Sequence, residues 1–335
     1  MNTINGTFVI AELSANHGGK LETAVETVRA AKRAGADAIK LQTYTADTIT
    51  LDSDKEDFII RGGTLWDNQR LYDLYKDAFL PWEWHSTLFD VAHEEGLICF
   101  SSPFDISAVD FLEGLNCPIY KIASFEITDI PLIEYVASKG KPIIISTGIA
   151  EFEDIQLAVE SCRKVGNDDI TLLKCTSSYP APVEEANLIM MQQFATDFHV
   201  KVGLSDHTLG ITVPIVSVAL GATVIEKHFI LDRAIGGPDA AFSLDEKEFT
   251  EMVNAVREAE KAIGQISYTT TEKQKAGKSF SRSLYIAEDV AKGETLTRNN
   301  LRSVRPGFGM HPKFLNNYLD KPASRNYQKG ERFEG

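Results

Sequence analysis

The stretch KVGLSDHTLGITVPIVSVALGATVIEKH, residues 201–228, decides the fold. It opens on a short apolar run that ends at His207, and it closes on a second run that ends at His228. Between them, residues 212–220 form an apolar pattern long enough for a helix. Strand, helix and strand with polar residues at both strand ends predict a parallel β-α-β unit, in which functional groups gather where the strands end. His207 and His228 are therefore a candidate pair of metal ligands on neighbouring strands.

The same period repeats along the chain, with a helical pattern after each short apolar run. The eight predicted strands cover residues 7–13, 36–43, 97–101, 119–123, 142–146, 170–175, 201–207 and 222–228. Eight such units with β-branched strands predict a (β/α)8 TIM barrel over residues 1–266. The competing fold is a doubly wound sheet, which would more often carry a glycine-rich dinucleotide fingerprint after its first strand. This chain has no such fingerprint.

Three segments depart from the barrel period. Residues 44–81 follow the second strand and are long enough to be a functional lid or a binding loop. Residues 267–279 are rich in Thr, Ser, Lys and Gly, and we interpret them as a linker. Residues 280–335 are predicted to form a small module. Because that module is short for independent folding, we expect it to dock on a barrel, its own or a partner's.

Composition argues against several classes of function. The formal net charge of −14 argues against nucleic acid or an anionic membrane as the main partner. No apolar run reaches about 18 residues, so no membrane span is expected. The first residues lack a signal-peptide pattern, and we expect a cytoplasmic protein. The four cysteines have no CxxC spacing and are expected to be buried free thiols rather than disulfides.

Polar side chains gather at the predicted carboxyl ends of the strands. Lys40 and Lys121 stand there among small hydroxyls, a pattern suited to a phosphate or carboxylate ligand. The other strand-end candidates are Glu12, Gln42, Ser101, Ser124, Ser146, Thr147, Thr176, Ser177, Ser205 and Glu226. Each lysine has a second interpretation as the partner of a buried carboxylate, and Lys121 has a third, as a Schiff-base nucleophile.

The histidines differ in the weight that they carry. Taken singly, His207 and His228 would more often be core residues, but as a pair they favour a divalent metal with open positions for water or substrate. Mn²⁺, Mg²⁺ and Co²⁺ would all accept two imidazoles plus oxygens. His17, in the first strand-end loop, stays a candidate. Three further histidines are expected on the surface: His85, His93 and His199.

Two loops add candidates. Asp239 follows the eighth strand on a glycine-rich loop, where it would either fold over the site or serve as an ordinary turn residue. In the last module, residues 302–309 (RSVRPGFG) concentrate Arg, Pro and Gly in an acidic protein. A basic turn there would close over an anionic ligand, unless it is only surface decoration.

Together these residues resemble the sialic acid synthase family over nearly the full length of the chain. The motifs that carry the resemblance are AELSANH (11–17), KLQ (40–42), SPF (102–104), YKIAS (120–124), STG (146–148), SDH (205–207), EKH (226–228) and GPD (237–239). Several motifs in order, all at barrel strand ends, make a specific match. The resemblance implies a TIM barrel followed by a small C-terminal SAF, or antifreeze-like, domain at residues 280–335.

The resemblance also implies the reaction. Members of the family are transferases that condense phosphoenolpyruvate with an acetamido sugar and release phosphate. Residues 14–19 and 63–84 look most like the pseudaminic acid branch, for which the sugar would be 2,4-diacetamido-2,4,6-trideoxy-L-altrose. The sialic acid branch, which uses N-acetylmannosamine, and the legionaminic acid branch remain alternatives.

Roles for single residues follow from the strand-end pattern and the resemblance taken together. Phosphoenolpyruvate would be held by Lys40, Lys121, Ser124, Ser146, Ser177 and Ser205. Ser177 departs from the Asn that sialate synthases tend to place there. The sugar would meet Asn16, His17, Gln42, Tyr179 and Asp239 from one subunit, and Phe280 and Arg305 from the other subunit of a domain-swapped homodimer.

The implied chemistry uses a metal and proton-transfer groups. His207 and His228 would bind Mn²⁺ or a similar divalent ion, which polarises the sugar aldehyde for attack by the enol carbon. Water then adds and phosphate leaves. Lys121, Glu12 and Asp239 are the catalytic candidates, and which of the two carboxyls is base or acid is left open.

Two rival functions remain open. One is a lysine-dependent aldolase on the same barrel, with Lys121 as the Schiff base. The other is a non-catalytic sugar-binding protein, against which stands the number of ionisable groups at one barrel mouth.

Overall fold

The computed structural model describes residues 6–63 and 66–335, and it divides into one compact unit that ends at Gly264 and a second that spans Gln265–Gly335. In the first unit, eight parallel strands close into a barrel in sequence order. They are β1 Phe8–Glu12, β2 Ala38–Thr43, β3 Ile98–Pro103, β4 Tyr120–Ile122, β5 Ile143–Ser146, β6 Ile170–Cys175, β7 Lys201–Asp206 and β8 Val224–His228. The predicted TIM barrel is confirmed, and the doubly wound sheet is excluded.

Eight helices surround the barrel, one after each strand. They are α1 Leu21–Arg33, α4 Trp82–Glu94, α5 Ile106–Gly114, α6 Ile130–Ala137, α7 Phe152–Lys164, α8 Met190–Phe198, α9 Thr212–Ala219 and α10 Glu246–Ile263. Local sequence fixes several of their starts. Asp105 accepts hydrogen bonds from the amides of Ser107 and Ala108, and Asp245 forms a capping box with Glu248.

The strands are apolar because the barrel buries both of their faces. In β5 the run Ile143–Ser146 is buried throughout, and only its last residue is polar. β7 and β8 approach so closely at Gly203 that a Cβ there would lie 2.4 Å from the carbonyl oxygen of Val224. Glycine is therefore required at that point.

The segment between β2 and α4 forms its own small structure. It contains α2, Ala46–Ile49, and α3, Leu71–Ala78. Between these helices, Ile60 and Gln69 are joined by a backbone hydrogen bond of 2.9 Å, and Ile59 forms an antiparallel bridge with Arg70. The insertion is therefore folded where the structure describes it, as a hairpin followed by a helix.

The second unit is a small β structure with its own core. β9, Ser283–Ile286, pairs antiparallel with β10, Leu301–Val304. The segment predicted as a linker contains a short helix, α11 Glu272–Gly277, because Thr271 caps it by accepting from the amide of Gln274. A last short helix is α12, Leu315–Tyr318. The hydrophobic core of the unit consists of Leu284, Ile286, Val290, Leu296, Leu301, Ala323, Tyr327 and Phe333.

The prediction that His85 lies on the surface was wrong. His85 is fully buried on the face of α4 that packs against the barrel, and its Nε2 lies 2.9 Å from Thr43 Oγ1. Burial lowers the pKa of its imidazole to about 4, so that the ring is neutral near pH 7. The four cysteines are buried and free, as predicted. Among the described residues, no helix combines the length and the apolar character that a membrane crossing requires.

Candidate active site

Two lysines and two glutamates meet inside the barrel at the carboxyl ends of its strands. Lys40 Nζ lies 2.6 Å from Glu12 Oε2 and 3.8 Å from Glu226 Oε1, and Lys121 Nζ lies 3.8 Å from the same oxygen of Glu226. None of the four side chains is more than 7% exposed. We call Glu12, Lys40, Lys121 and Glu226 the inner cluster. Buried charges of this kind are costly unless they are paired, which these are only in part.

Neighbouring polar side chains fix the geometry of the inner cluster. Lys121 Nζ donates to Ser146 Oγ at 2.7 Å. Ser205 Oγ donates to Glu226 Oε1 at 3.1 Å, and Gln42 Nε2 donates to Glu12 Oε1 at 2.8 Å. These partners lie on β2, β5 and β7, so the barrel itself sets their positions rather than a flexible loop.

Several buried polar atoms of the site have no hydrogen-bond partner among the described residues. They include the Oε2 atoms of Glu12 and Glu226 and the Nδ1 atom of His228. Glu12 Oε2 is close to Lys40 Nζ, but it does not have the geometry of a hydrogen bond. Unpaired buried polar groups cost free energy and are rare in the interior of proteins, so their concentration here marks the region as functional.

The pKa values of the two carboxyls of the inner cluster are shifted in opposite directions. Burial, with a further contribution from Glu226, raises the pKa of Glu12 to about 7, although Lys40 partly offsets the rise. Burial also disfavours charge on Glu226, but Lys121 and Lys40 outweigh it and hold the pKa of that carboxyl below its ordinary value. Carboxyls whose pKa values diverge in this way can divide the tasks of proton carrier and fixed anion.

The pKa values of the two lysines are also shifted in opposite directions. Burial lowers the pKa of Lys121. Burial acts in the same direction on Lys40, but the neighbouring Glu12 and Glu226 raise the pKa of its ammonium above its ordinary value. Lys40 is therefore a permanent cation beside Glu12, and both lysines point into the same space.

The two histidines come together as predicted. Their ring centroids are 5.3 Å apart. His207 Nδ1 lies 3.0 Å from the carbonyl oxygen of Thr176 and donates there. Burial opposes charge on this ring, but Cys175 and the carbonyl of Thr176 outweigh it and raise the pKa of His207. Burial and the neighbouring His207 hold the pKa of His228 well below its ordinary value, so that its imidazole is neutral.

These two rings suit a divalent ion only as a partial ligand set. His228 Nδ1 lies 3.7 Å from Asp239 Oδ2. Within residues 6–63 and 66–335, however, no three or more His, Cys, Asp and Glu side chains form a group that could hold a metal ion. The two imidazoles would therefore need oxygens from water or substrate to complete the coordination of a metal.

The serines predicted to bind phosphoenolpyruvate line neighbouring strand ends. The amide of Gly148 donates to Ser124 Oγ at 3.1 Å. A Cβ on Gly148 would lie 2.0 Å from Ser177 Oγ and 2.7 Å from Ser124 Oγ, so the glycine lets both hydroxyls approach the loop after β5. Ser146 and Ser205 bond the inner cluster directly. Their role in substrate binding stays a prediction.

The residues predicted to bind the sugar fall into different surroundings. Gln42 contacts Glu12, Tyr179 stacks against His207 at a centroid distance of 4.4 Å, and Asp239 lies near His228. Burial raises the pKa of the Asp239 carboxyl. These three residues lie around the histidines and the inner cluster.

Asn16 and His17 each have structural contacts, although Asn16 Oδ1 and His17 Nε2 are buried without a hydrogen-bond partner among the described residues. Asn16 Nδ2 donates to the carbonyl of Phe229 at 3.0 Å and to Ser243 Oγ at 2.8 Å, which ties the loop after β1 to the chain that follows β8. The ring of His17 packs edge-on against Trp84 at 5.6 Å. Their predicted contact with the sugar draws no support from these bonds and remains untested.

Phe280 and Arg305 both lie in the second unit. Phe280 is 71% exposed, and Arg305 is also exposed. Their predicted role in the site of another subunit stays a prediction.

Sequence reasoning missed Glu126 and Cys175. Glu126 follows the YKIAS motif in a single 3-10 turn, its Oε2 atom is buried without a hydrogen-bond partner, and burial raises its pKa to about 7 against the effect of Lys121. Cys175 Sγ lies 3.8 Å from His207 Nδ1; burial opposes ionisation of the thiol, but His207 outweighs it and lowers the pKa to about 7. The signal available in the sequence was only their proximity to strand ends.

A second buried ion pair lies on the opposite face of the same strands. Lys227 Nζ lies 2.5 Å from Asp206 Oδ2 and also donates to the carbonyl of Thr208. The amide of Thr208 donates to Asp206 Oδ1 at 3.0 Å. We call Asp206 and Lys227 the outer pair. Because side chains alternate along a strand, Glu226 and His228 face the barrel interior while Lys227 faces the surrounding helices.

Comparison with known proteins gives one family. Residues 27–268 match the model of the NeuB family. The pseudaminic acid synthase of Campylobacter jejuni is 50% identical over 330 residues, which is 98% of this chain and 96% of that protein. The N,N'-diacetyllegionaminic acid synthase of Legionella pneumophila is 37% identical over 328 residues, covering 96% of this chain and 92% of that one.

A solved structure agrees. The crystal structure of an N-acetylneuraminic acid synthetase from Leptospira borgpetersenii, in complex with citrate, superposes with a TM-score of 0.73 at 30% identity. It covers 83% of this chain and 93% of that one. The likeness therefore extends from sequence motifs to the whole barrel.

Proposed function

The chain belongs to the NeuB family of sialic acid synthases, and on that premise we propose that it condenses phosphoenolpyruvate with 2,4-diacetamido-2,4,6-trideoxy-L-altrose to give pseudaminic acid and phosphate. The higher identity to a pseudaminic acid synthase than to a legionaminic acid synthase supports this choice of sugar. The inner cluster, with two lysines and two carboxyls of divergent pKa at one barrel mouth, is the structural observation that carries the proposal.

The cations and hydroxyls would hold phosphoenolpyruvate. Lys40 and Lys121 offer ammonium groups in a buried space, where attraction to phosphate and carboxylate is stronger than in water. The strand-end serines add short donors: Ser124, Ser146, Ser177 and Ser205. Binding of phosphoenolpyruvate would also lower the free-energy cost of burying Lys40 and Lys121, since the anion gives each lysine a further charged partner.

Glu12 would move protons in the reaction. The reaction forms a bond between the methylene carbon of phosphoenolpyruvate and the sugar aldehyde carbon, whose oxygen takes up a proton. Water then adds to the former enol carbon, and the bond from that carbon to the phosphate oxygen breaks. A carboxyl with a pKa of about 7 can give and take protons in such steps. Asp239, whose pKa is also raised, is the second candidate for the same work.

His207 and His228 would hold the divalent ion that we include in the proposal, with Mn²⁺ the expected ion and Mg²⁺ or Co²⁺ the alternatives. A bound divalent ion would supply Lewis-acid polarisation of the aldehyde oxygen. Thr176 orients His207 for that task, and burial keeps His228 neutral as a ligand must be.

The second unit belongs to the proposal as an SAF domain that completes the site of another subunit in a domain-swapped homodimer. Its exposed Phe280 and Arg305 would meet the sugar there. The loops after β4, β5 and β7 carry exposed apolar side chains, among them Phe125, Ile149 and Leu209, which supports a covering partner at the barrel mouth. A cytoplasmic location stays a prediction.

The reaction is tested by phosphate release from phosphoenolpyruvate with and without Mn²⁺. Three sugars are compared: the altrose derivative, N-acetylmannosamine and 2,4-diacetamido-2,4,6-trideoxymannose. We expect metal-dependent release with the altrose derivative alone. Release with another sugar would keep the reaction and overturn the substrate. Silence with all three would contradict the synthase and favour the Schiff-base aldolase, which borohydride trapping on Lys121 would reveal.

The dimer is tested by complementation between two inactive variants. Glu12→Gln damages the barrel of a subunit, and Arg305→Ala damages its second unit. If the units are exchanged, a mixed dimer contains one site with an intact barrel and an intact second unit, so that mixing restores partial activity. Mixed samples that stay as inactive as the parents would contradict the swap.

A further inference from the structure

The insertion after β2 presents an aromatic side chain on a hairpin. Residues 59–63 and 66–70, which we call the β2 hairpin, are joined by backbone hydrogen bonds of 2.9 Å from Ile60 to Gln69 and from Asn68 to Ile60. Asp67 Oδ2 accepts from the amide of Gly63 at 2.9 Å. Trp66 stands on this hairpin and is half-buried.

Trp66 is the outer end of a continuous series of ring contacts that reaches the two histidines. Its ring lies 5.7 Å from that of Tyr179, which in turn lies 4.4 Å from His207 and 5.2 Å from Phe242. Phe242 packs against His228 at 4.9 Å. We call Trp66, Tyr179 and Phe242 the aromatic wall. It forms one apolar side of the site, whereas the inner cluster forms the charged part.

The hairpin is held in place from its other end. Tyr75, on α3, packs edge-on against Tyr44 at 5.7 Å, and Tyr44 is buried at the end of β2. Arg70 at the base of the hairpin bonds Asp54 at 2.8 Å and Asp73 at 2.7 Å. Trp66 is therefore presented by a braced element rather than by an open loop.

The reaction fixes which end of the sugar meets this wall. The aldehyde carbon must lie near phosphoenolpyruvate, the inner cluster and the histidines. The opposite end of the sugar chain, carbons 4 to 6, then extends along the wall away from His207. Trp66 is separated from His207 by the ring of Tyr179, so it lies on the side of the far end.

We propose that Trp66 is a specificity-determining residue that packs against the 4-acetamido and C6 methyl groups of the sugar. This inference rests on the proposed function and adds the residue that reads the far end of its substrate. An indole face gains from contact with methyl groups. N-acetylmannosamine carries hydroxyls at these positions, which would lose water against an apolar ring without gaining a partner.

The test compares Trp66→Ala and Trp66→Phe with a matched variant of the same insertion, Leu51→Ala, whose side chain is 66% exposed. Three quantities are measured: kcat/KM for the altrose derivative, the inhibition constant of N-acetylmannosamine as its competitor, and KM for phosphoenolpyruvate. Loss of one apolar contact predicts a fall of about 10- to 100-fold in kcat/KM for the altrose derivative in Trp66→Ala, carried by KM. Trp66→Phe should fall between that variant and the wild type.

The other two constants separate recognition from a structural role. If Trp66 reads the far end, KM for phosphoenolpyruvate stays within about twofold of wild type, because phosphoenolpyruvate does not contact the indole. The inhibition constant of N-acetylmannosamine stays unchanged or falls, because the ring that dehydrates its hydroxyls is gone. If Trp66 only supports the hairpin, all three constants worsen together, and the inference fails. It fails equally if Leu51→Ala matches Trp66→Ala, or if Trp66→Ala leaves the altrose derivative unaffected.

The choice of sugar by the wild-type enzyme shows whether the proposed function itself is wrong. If the wild type uses the 2,4-diacetamido-2,4,6-trideoxymannose, the substrate assignment is wrong, but the same comparison is made with that sugar, whose far end carries the same methyl groups. If the wild type prefers N-acetylmannosamine, or uses no sugar, both the substrate assignment and the inference are overturned.

Discussion

The inner cluster and the outer pair place buried charges on the two faces of one strand, β8. Glu226 faces the barrel interior and Lys227 faces the helices, and both are nearly inaccessible to water. The outer pair is closed: Lys227 bonds Asp206 and a backbone carbonyl, and Asp206 also accepts from Thr208. The inner cluster is open, since Glu226 Oε2 has no hydrogen-bond partner in the part of the chain that the structure describes.

The difference teaches how to tell a structural ion pair from a functional one. At both sites, removing the charged groups from water costs free energy. Only the outer pair offsets this cost within the protein. The inner cluster instead keeps groups with displaced pKa values and unpaired atoms, which a folded protein tolerates where a substrate supplies the missing partners. We therefore expect substitutions in the outer pair to affect stability and those in the inner cluster to affect activity.

Lys227→Met should give the largest loss of stability. It leaves the Asp206 carboxylate buried and unpaired, and breaking a buried pair in this way costs about 3–5 kcal/mol. The free energy of unfolding in urea measures it. The double variant Asp206→Asn with Lys227→Met removes both charges and should recover most of the loss. If Lys227→Met is as stable as the double variant, the ion pair between Asp206 and Lys227 does not stabilise the fold.

Glu12→Gln should have the opposite profile. Turnover should fall by about a hundredfold or more, since a positioned proton carrier contributes a factor of this order. Binding of phosphoenolpyruvate and Mn²⁺, followed by calorimetry, should persist. The free energy of unfolding should fall by less than in Lys227→Met, because Lys40 keeps Glu226 as a charged partner at 3.8 Å. Glu246→Gln, in a surface pair with Arg33, is the control. Turnover close to that of wild type would remove Glu12 from the mechanism.

Glu126→Gln tests whether the open character of the site extends to a residue that the motifs did not indicate. The unfolded carboxyl ionises near 4.5 and the folded one near 7, so the folded state holds an extra proton between these values. The stability from this proton is fully present below pH 4.5 and is lost as pH rises through 7. Relative to Glu126→Gln, the wild type should therefore lose about 3 kcal/mol of unfolding free energy from pH 4.5 to pH 8.

The measurement is urea unfolding of both proteins at several pH values. Glu12 titrates in the same range, but it is present in both proteins and largely cancels in the difference. A difference that does not change with pH would mean that Glu126 ionises normally.

Ser146→Ala should give the smallest effect. It removes the hydroxyl that accepts from Lys121 at 2.7 Å, and losing one hydrogen bond of this kind costs about 1 kcal/mol, or about fivefold in KM for phosphoenolpyruvate. Ser217→Ala is the matched control, because its buried hydroxyl donates to the carbonyl of Pro214 within α9. Equal KM values for phosphoenolpyruvate in the two variants would show that Ser146 does not contribute to binding this substrate.

The sequence predicted the barrel and the location of the site because both depend on short-range patterns. The polar residues that end β7 and β8 are visible as interruptions of apolar runs, and strand alternation then separates His207 and His228 from the outer pair. The pairing of Lys227 with Asp206 was not predicted, because it joins residues of two strands on a face where charge is unusual.

Other features depend on packing that no local pattern reveals. His85 lies on the buried side of α4, where a polar contact with Thr43 compensates for its burial. Glu126 has a raised pKa only because the turn after β4 folds inward. The contact between Trp66 and Tyr179 joins an insertion to a distant loop. In each case, the partner is far away in sequence, and tertiary structure decides the outcome.

The closure of the barrel has a consequence for the order of biosynthesis. β1 pairs with β8, from Phe8 opposite Val224 to Glu12 opposite His228. The two ends of the site thus come from opposite ends of the barrel sequence, and a nascent chain that has not yet presented β8 has β1 without one of its neighbours. Such long-range pairing slows folding and leaves strand edges open during translation. The site can therefore be complete only after β8 has been synthesised and has paired with β1.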